Sequence, residues 1–566
     1  METKANYHKR PWLSYYESGV PEEIAFDENL LPDFLEKSAK IFPNKTALNF
    51  QGYKVTYKEL HSMVERFSAH LYSFGIRKGD VVAIQLLGMI SSVVSYYAVI
   101  KIGGIAVMNN PLYSDRELEY QLNDSGAKVL ITLDCITNDN LVNRMIDLRP
   151  RTGIKQIIYT TVGEYLPSMN KVLFKLFGRM KKLTVPVKEA DDLYSYKELM
   201  KKDAPAAPKI QLSPDDVAMY QYTGGTTGVS KGVILTHGNL SKHTQQLKAW
   251  LPQFEPGKEV MLGSLPFFHV FGLTVCMNFS ILMGWENVIV IQPKAEKLIE
   301  AISHHKPTFA PLVPTQFINI LKSPEIDKVD MTSIKACFSG SAPLPVEVIN
   351  EFEAKTGAVI IEGYGLTESS PIVSVNPFSG VRKVGSIGIP FPNTECRIVD
   401  IVDGETDVPP GECGELIVKG PQVMKGYRNK PEETEKTLRN GWLHTGDIAR
   451  MDEDGYFYIV DRIKELIISG GLNVYPRDIE EVIYEHPDIL EAAVIGIPHP
   501  SRGEAAKVFA VLKEGRDMTP EALIDYCSGK LAKYKLPTEV EFRESLPKSA
   551  VGKILKRELK AEEARK

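Results

Sequence analysis

At 566 residues the chain exceeds what one hydrophobic core organises, so at least two domains are expected. Hydrophobic residues at 43% and charged residues at 25% match an ordinary soluble globular protein, which excludes collagenous, disordered and disulfide-scaffold classes. Lys+Arg 67 against Asp+Glu 72 leaves a net charge of −5, so no nucleic-acid partner is expected, since general binding wants a basic surface.

The N-terminal METKANYHKRPWLSYYESG lacks an apolar core of signal-peptide length, so secretion is not expected. Cys135, Cys276, Cys337, Cys396, Cys413 and Cys527 lie far apart without a CxxC pair. They read as reduced, mostly buried thiols of a cytoplasmic protein.

Strand-like apolar runs then alternate with helix-length segments: VVAIQLL from 81, AKVLITL from 127, KQIIYTT from 155, VAMYQYT from 217 and ENVIVIQ from 286. This alternation predicts βαβ units and largely parallel sheets. Two uncharged stretches approach the length of a membrane span. Residues 81–100 hold Gln85, Ser91, Ser92 and Ser95 and are divided by Gly88, so they read as a buried strand and then a helix. Residues 260–285 are interrupted by Pro266, His269 and Asn278 and do not read as a span either. Residues 171–182, KVLFKLFGRMKK, set Lys171, Lys175 and Arg179 on one helical face and Phe174, Phe177 and Met180 on another, with no acid. Such a helix can lie on an anionic membrane surface; packing between domains with a solvated basic face explains it equally well.

From about residue 390 to 460 the texture changes to short segments with turn signals, ECRIVD, VDGE and GELIVKG, which predict a small β-rich unit. A break falls at 461–464, after DEDGYFYIVDR. Beyond it PRDIEEVIYEH and PEALIDYCSGKLAKY read as helices, and AAVIGIP and AKVFAVLK as strands. Residues 1–460 and 465–566 are therefore expected to be separate domains, the second a small α+β unit.

The strongest chemical signal is YTGGTTGVSKG at 222–232. Glycines let backbone N–H groups turn toward an anion. Thr223, Thr226, Thr227 and Ser230 add hydroxyl donors, and Lys231 adds positive charge, so the composition suits a polyphosphate. It is not a Walker A loop, because Val229 and Ser230 separate Gly228 from Lys231.

This loop resembles the phosphate loop of the acyl-adenylate-forming superfamily, which includes acyl-CoA synthetases, luciferases and peptide-synthetase adenylation domains. Within it the chain most resembles bacterial long-chain fatty-acid–CoA ligases. The resemblance runs from PWLSYY through NPLYSDRELEYQLNDSGAKVL, EGYGLTESSPIVSVNP and NGWLHTGDIARMDEDGYFYIVDRIKELI to VGKILKREL. It implies an α/β fold: a large N-terminal domain of stacked, mostly parallel sheets with helices, a small β-rich subdomain, and a mobile α+β C-terminal lid. It implies ATP, Mg²⁺ and CoA, with a fatty acid activated to acyl-AMP and passed to CoA.

Residue by residue, the resemblance implies that Thr223, Gly224, Gly225, Thr226, Thr227, Gly228, Ser230 and Lys231 hold ATP phosphates. Glu362, Gly363, Tyr364 and Gly365 form the adenine segment, with Tyr364 stacking on the base. Thr367 contacts phosphate and Glu368 holds Mg²⁺, as a hard cation wants a carboxylate. On its own, GYGLTE reads equally as a helix start. Gly340, Ser341 and Ala342 match a turn against the adenine. Asp447 matches the ribose acid and Arg462 a second ribose contact; without the resemblance either is an ordinary surface charge. Lys553 matches the catalytic lysine of the C-terminal domain. Carboxylate and α-phosphate repel by about 4 kcal/mol at 4 Å and an effective dielectric of 20, which a lysine between them offsets. Lys556, Arg557 and Lys560 lie nearby, and the residues alone do not choose among these cations. His269, in LPFFHVFGL, matches a gate beside the acyl carboxylate. Lys464 matches the hinge, and Gly470 and Gly471 the pantetheine tunnel. Asp478 departs from the Pro-x-Glu of many relatives.

The apolar stretch from Leu265 to Leu282 borders a fatty-acyl tunnel or is simply core. Thirteen residues follow Lys553, so a tethered carrier domain is not expected. A free acyl carrier protein as acceptor, a medium-chain or aryl acid as substrate, a luciferase-like oxygenase and a lipid-binding protein without chemistry remain the competing readings. Intact Lys231, Glu368, Asp447, Arg462 and Lys553 speak against the last. A peripheral position at the inner face of the membrane and a homodimer are admitted by the sequence rather than read from it.

Overall fold

The computed structural model describes residues 7–136, 139–177, 184–223, 230–470, 472–549 and 552–565. Among them four sheets form. The first runs in the order Gly426–Tyr427, Lys231–Thr236, Val217–Thr223, Ile105–Met108, Val81–Gln85, Ala127–Leu133, Gln156–Thr160 and Leu193–Ser195. It is parallel from Val217–Thr223 to its far edge and antiparallel at the two strands on the near edge. The second, nine-stranded, has a parallel centre containing Val260–Gly263, Phe309–Leu312, Ala336–Ser339 and Val359–Gly365. Parallel strands are covered on both faces, which is why these segments read as continuous apolar runs.

Helix Ile90–Lys101 packs on Val81–Gln85, and its Tyr97 hydroxyl donates to Asn278 Oδ1 beside the second sheet at 2.9 Å. One core cluster accordingly joins residues of both sheets, among them Val82, Ile131, Met261, Phe309 and Ile361. The third sheet takes Glu395–Val399, Gly414–Lys419, Leu438–Arg439, Trp442–Met451 and Phe457–Arg462. The fourth, with Ile467–Ser469, Leu472–Val474, Ile489–His499, Gly503–Leu512 and Glu539–Phe542, has its own core around Ile479, Val494, Val508 and Leu523. Five of the six cysteines are buried and none of the six forms a disulfide.

Two elements depart from the sequence pattern. Helix Pro520–Ser528 stops before Gly529, a poor helix former, and Lys533–Lys535 is a separate 3₁₀ turn. Gly272–Asn278 is a π-helix. The Cys276 carbonyl accepts from both Ser280 Oγ and Asn287 Nδ2 at 2.7 Å, which draws it off the regular ladder.

Among the described residues no helix is long and apolar enough to cross a membrane. Of 171–182, residues 171–177 continue helix Ser168–Phe177 and the remainder lies outside the described residues. There Lys171 Nζ donates to the Glu164 carbonyl at 2.8 Å and Phe174 lies against Gly163, while Met169 and Val172 are exposed.

Candidate active site

In open α/β sheets ligands gather at the carboxyl ends of the strands. Two neighbouring parallel strands of the second sheet end here. Ala336–Ser339 runs into Gly340, Ser341 and Ala342, and Val359–Gly365 carries Glu362, Gly363, Tyr364 and Gly365. GYGLTE is thus a strand end followed by the single 3₁₀ turn Thr367–Ser369, which carries Thr367 and Glu368. Close packing dictates the small residues. A Cβ on Gly365 would lie 2.0 Å from the Pro371 carbonyl, and one on Gly340 3.1 Å from the Phe271 ring. Glu362 accepts from the Gly385 N–H at 3.4 Å; burial pushes its carboxyl above the usual range.

Asp447 and Arg462 sit opposite each other on antiparallel strands Trp442–Met451 and Phe457–Arg462. Arg462 Nε lies 3.2 Å from Asp447 Oδ1, and the Tyr364 hydroxyl donates to Asp447 Oδ2 at 2.5 Å. The second and third sheets therefore meet at this carboxylate. Burial, then Asp447, holds the Tyr364 hydroxyl well above its ordinary value.

Lys553 comes from the far end of the chain. Its loop is closed by the bridge Lys548↔Ile554, and the Ser549 N–H donates to the Lys553 carbonyl at 2.8 Å. Gly552, at φ +76°, seats the loop on the helix Pro314–Lys322: a Cβ would lie 2.7 Å from Thr315 Oγ1. The ammonium lands in the field of Arg462, Asp447, Glu465 and Lys464. Burial brings it down to about 8, with Arg462 adding and Asp447 opposing. His269 faces it; burial and then the Lys553 charge hold the imidazole at about 4, so it is neutral at physiological pH. Its Nδ1 accepts from the Phe271 N–H at 3.3 Å.

A second group forms beside the first. Thr223 and Lys231 face each other across a hairpin whose tip, with Gly224, Gly225, Thr226, Thr227 and Gly228, lies outside the described residues. Ser230 Oγ accepts from Gln121 Nε2 at 3.4 Å. Lys231 Nζ pairs with Glu433 Oε2 at 2.5 Å and stands 4.9 Å from the Tyr427 ring centroid. The Tyr427 hydroxyl donates to Glu368 Oε1 at 2.7 Å. The candidate phosphate lysine and the candidate metal carboxylate are thus joined through one tyrosine.

At the junction, Asp461 accepts from the Arg462 and Arg477 N–H groups at 2.7 and 2.9 Å, and burial pushes its carboxyl up to about 6. Lys464 is exposed in the 3₁₀ turn Ile463–Glu465. Lys556 Nζ lies 2.7 Å from Glu480 and 3.4 Å from Glu465, which separates it from Lys553: it is committed to an ion-pair cluster. Gly470, at φ +60°, tips the hairpin Ile467–Ser469/Leu472–Val474 and bonds the Arg502 carbonyl at 2.7 Å rather than the Lys553 cluster; Gly471 lies outside the described residues. The structure therefore brings together Lys553, His269, Asp447, Arg462 and Tyr364, and next to them Lys231 and Glu368. Sequence reasoning missed Tyr427, Glu433, Glu465 and Glu480, which carry no motif of their own.

Among the described residues no group of three or more His, Cys, Asp or Glu side chains converges as a metal cage. Glu368 offers a partly exposed carboxylate at this point. That suits a cation such as Mg²⁺, which keeps several waters and binds through one or two carboxylates plus substrate phosphates.

The AMP-binding enzyme model matches residues 35–428 and the AMP-binding enzyme C-terminal domain model residues 478–553. A long-chain-fatty-acid–CoA ligase of Bacillus subtilis (strain 168) is 45% identical over 559 residues, 98% of each chain. Among solved structures, ATP-bound MatB from Rhodopseudomonas palustris superposes with a TM-score of 0.81 at 29% identity, covering 94% of this chain and 98% of that one. The apo form of the same protein gives 0.71 over 94% and 99%. The ATP-bound arrangement is the better match, in keeping with a Lys553 loop already seated against the N-terminal residues. With both models matched in order along a chain whose strand ends, Asp447–Arg462 pair and lysine loop converge on one site, the chain belongs to the AMP-binding enzyme family.

Proposed function

We propose that this chain is a long-chain fatty-acid–CoA ligase that forms acyl-AMP from ATP and then acyl-CoA, releasing pyrophosphate and AMP. The observation that carries it is the lodging of Lys553 beside the Asp447–Arg462 pair. A carboxylate is a poor electrophile because its oxide is a bad leaving group; transfer to AMP replaces that oxide with a good one. Lys553 stands between the attacking carboxylate and the α-phosphate and offsets the charge that builds in the transition state. Asp447 takes the ribose hydroxyls, Arg462 supports them, and Tyr364 stacks on adenine, with Gly340, Ser341 and Ala342 against its other side. Lys231 and the hairpin tip cradle the β- and γ-phosphates. Thr367 contacts phosphate, and Glu368 would hold Mg²⁺, which would neutralise phosphate charge when bound. His269, uncharged, orients the acyl carboxylate without adding a competing cation.

Residues 465–566 act as a lid that turns about Lys464, so that Gly470 and Gly471 replace Lys553 at the acyl-adenylate and admit the thiol of CoA. Support comes from the separate core of this segment and from its attachment through the single junction at 461–464. The long-chain assignment draws on the name of the 45% identical relative and on the apolar stretch at 265–282. The enzyme works in the cytoplasm; the basic residues Lys171, Lys175 and Arg179 and the exposed Met169 and Val172 support contact of residues 171–182 with the inner face of the membrane.

The test is AMP release by purified protein with ATP, Mg²⁺ and CoA across acids from acetate to oleate. CoA-dependent AMP formation peaking at long chains is expected. A peak at short or aromatic acids overturns the substrate and keeps the mechanism. Release with acyl carrier protein but not CoA overturns the acceptor, and no release with either overturns the whole assignment.

A further inference from the structure

The turn that presents Asp447 interrupts a regular ladder. Strand Trp442–Met451 pairs antiparallel with Gly414–Lys419, setting Glu415 opposite Ile448 and Ile417 opposite His444. Between those pairs one strand has only Leu416, while the other has Thr445, Gly446 and Asp447. The surplus residues must bulge, and bulges beside active sites re-aim side chains. Gly446 takes φ +69°, a left-handed conformation that suits glycine.

Several polar groups lifted out of the ladder have found new partners. The Thr445 hydroxyl donates to the Leu416 carbonyl at 2.7 Å, and the Asp447 N–H donates to Thr445 Oγ1 at 3.1 Å. The Gly446 N–H donates to Glu415 Oε1 at 3.0 Å. The other Glu415 oxygen lies 2.8 Å from His444 Nδ1 and 3.6 Å from Arg439 Nη2. Side chains of Glu415 and His444 are each only 6% exposed. A carboxylate is buried at a cost unless it is paired and hydrogen-bonded. Here both oxygens are occupied, one by the bulge and one by His444 and the Arg439 guanidinium.

We propose that Glu415 is a positioning residue for the nucleotide: its buried carboxylate fixes the Thr445–Gly446 bulge and so aims Asp447 at the ribose. This rests on the assignment of Asp447 as the ribose acid. A purely structural Glu415 would lower stability and affect all nucleotides alike. A positioning Glu415 sets the preference for a ribose with both hydroxyls.

The experiment compares ATP with 2′-deoxy-ATP as kcat/KM in the adenylation half-reaction, read by fatty-acid-dependent ATP–pyrophosphate exchange. Wild type, E415A, E415Q and D447N are assayed, with the folded fraction checked by thermal unfolding. E415A is expected to raise KM for ATP about tenfold, the scale of one lost hydrogen bond to a charged group, and to shrink the preference for ATP by a similar factor. E415Q keeps an acceptor for the Gly446 N–H but loses the charge facing His444, and should fall between E415A and wild type. If E415A does not fold, a reduced preference in E415Q supports the proposal by itself. A wild-type preference in the folded Glu415 variants, with the preference lost in D447N, overturns it. A preference kept in D447N overturns the ribose assignment first and the proposal with it.

Discussion

In its proposed role Lys553 has to be charged, yet it sits where burial disfavours its charge. The ammonium is brought down to about 8, with Arg462 adding to the cost of burial and Asp447 and Glu465 opposing it. Below that value the lysine is protonated and can offset the negative charge of carboxylate and phosphate; above it the lysine is neutral and the offset is gone. For the free enzyme kcat/KM of adenylation should therefore decline as pH rises through about 8. His269, held at about 4, stays neutral across the working range and adds no limb of its own. K553R keeps a cation at every accessible pH and should lose the alkaline limb while retaining some activity. K553A should cost on the order of 100-fold or more at neutral pH, the scale of one preorganised group aimed at transition-state charge. An alkaline limb that persists in K553R assigns the titration elsewhere. At this scale the sequence placed the lysine only through the resemblance of its motif. Lys553 and Lys556 stand three positions apart, and nothing in the residue types separates them. The fold does: Glu465 and Glu480 claim Lys556, which they hold above its ordinary value despite burial, whereas Lys553 lies in the field of Arg462 and Asp447.

Short elements carry the parts that the sequence left silent. Strand Gly426–Tyr427 adds two residues to the edge of the first sheet, beside Lys231–Thr236, and helix Pro431–Thr437 follows at once. Together they bring Tyr427 under Lys231 and Glu433 against its ammonium. The phosphate chain and Glu433 want the same cation, and Lys231 holds the Glu433 carboxyl below its ordinary value. Partly exposed ion pairs are worth up to about 1 kcal/mol, a factor of about five. E433Q should therefore lower KM for ATP by two- to fivefold, on that scale, with kcat unchanged. An unchanged KM in steady-state kinetics shows that the pair does not compete with phosphate. Long periodic elements were legible: the strands at 81, 127, 217 and 286 lie where alternating apolar runs put them. Elements set by tertiary partners were not. The π-helix Gly272–Asn278 depends on two side chains sharing the Cys276 carbonyl, and the edge strand Gly426–Tyr427 exists only because Lys231–Thr236 lies beside it. Local sequence carries neither fact.

At the scale of the whole molecule, the question is how one site serves two reactions. The residues after 464 have a core of their own, and they meet the rest through a small number of identifiable ties. The Arg477 guanidinium donates to the Ile459 carbonyl at 2.7 Å, its N–H reaches Asp461, and the 548–554 loop rests on Thr315 through Gly552. None of these three ties is a large apolar interface, which favours the proposed exchange of one docking for another. In the arrangement described, Lys553 lies in the field of Arg462 and Asp447 while Gly470 bonds the Arg502 carbonyl, which under the proposed roles sets the chain for adenylation and not for thiol attack. Under the proposed rotation, passage to the second reaction lifts the Lys553 loop off Thr315 and swings the backbone at the 461–464 junction. Proline at a hinge locks φ near −65° and removes the N–H, which resists such a swing without touching either set of catalytic groups. K464P should therefore keep fatty-acid-dependent ATP–pyrophosphate exchange within about threefold of wild type, since hinge rigidity does not alter the docked state. CoA-dependent acyl-CoA formation by the same variant should fall by about 100-fold or more, as the competent state is no longer reached. Equal loss of both activities would mean that Lys464 serves the nucleotide site itself, and full retention of acyl-CoA formation would mean that the lid does not turn at this residue.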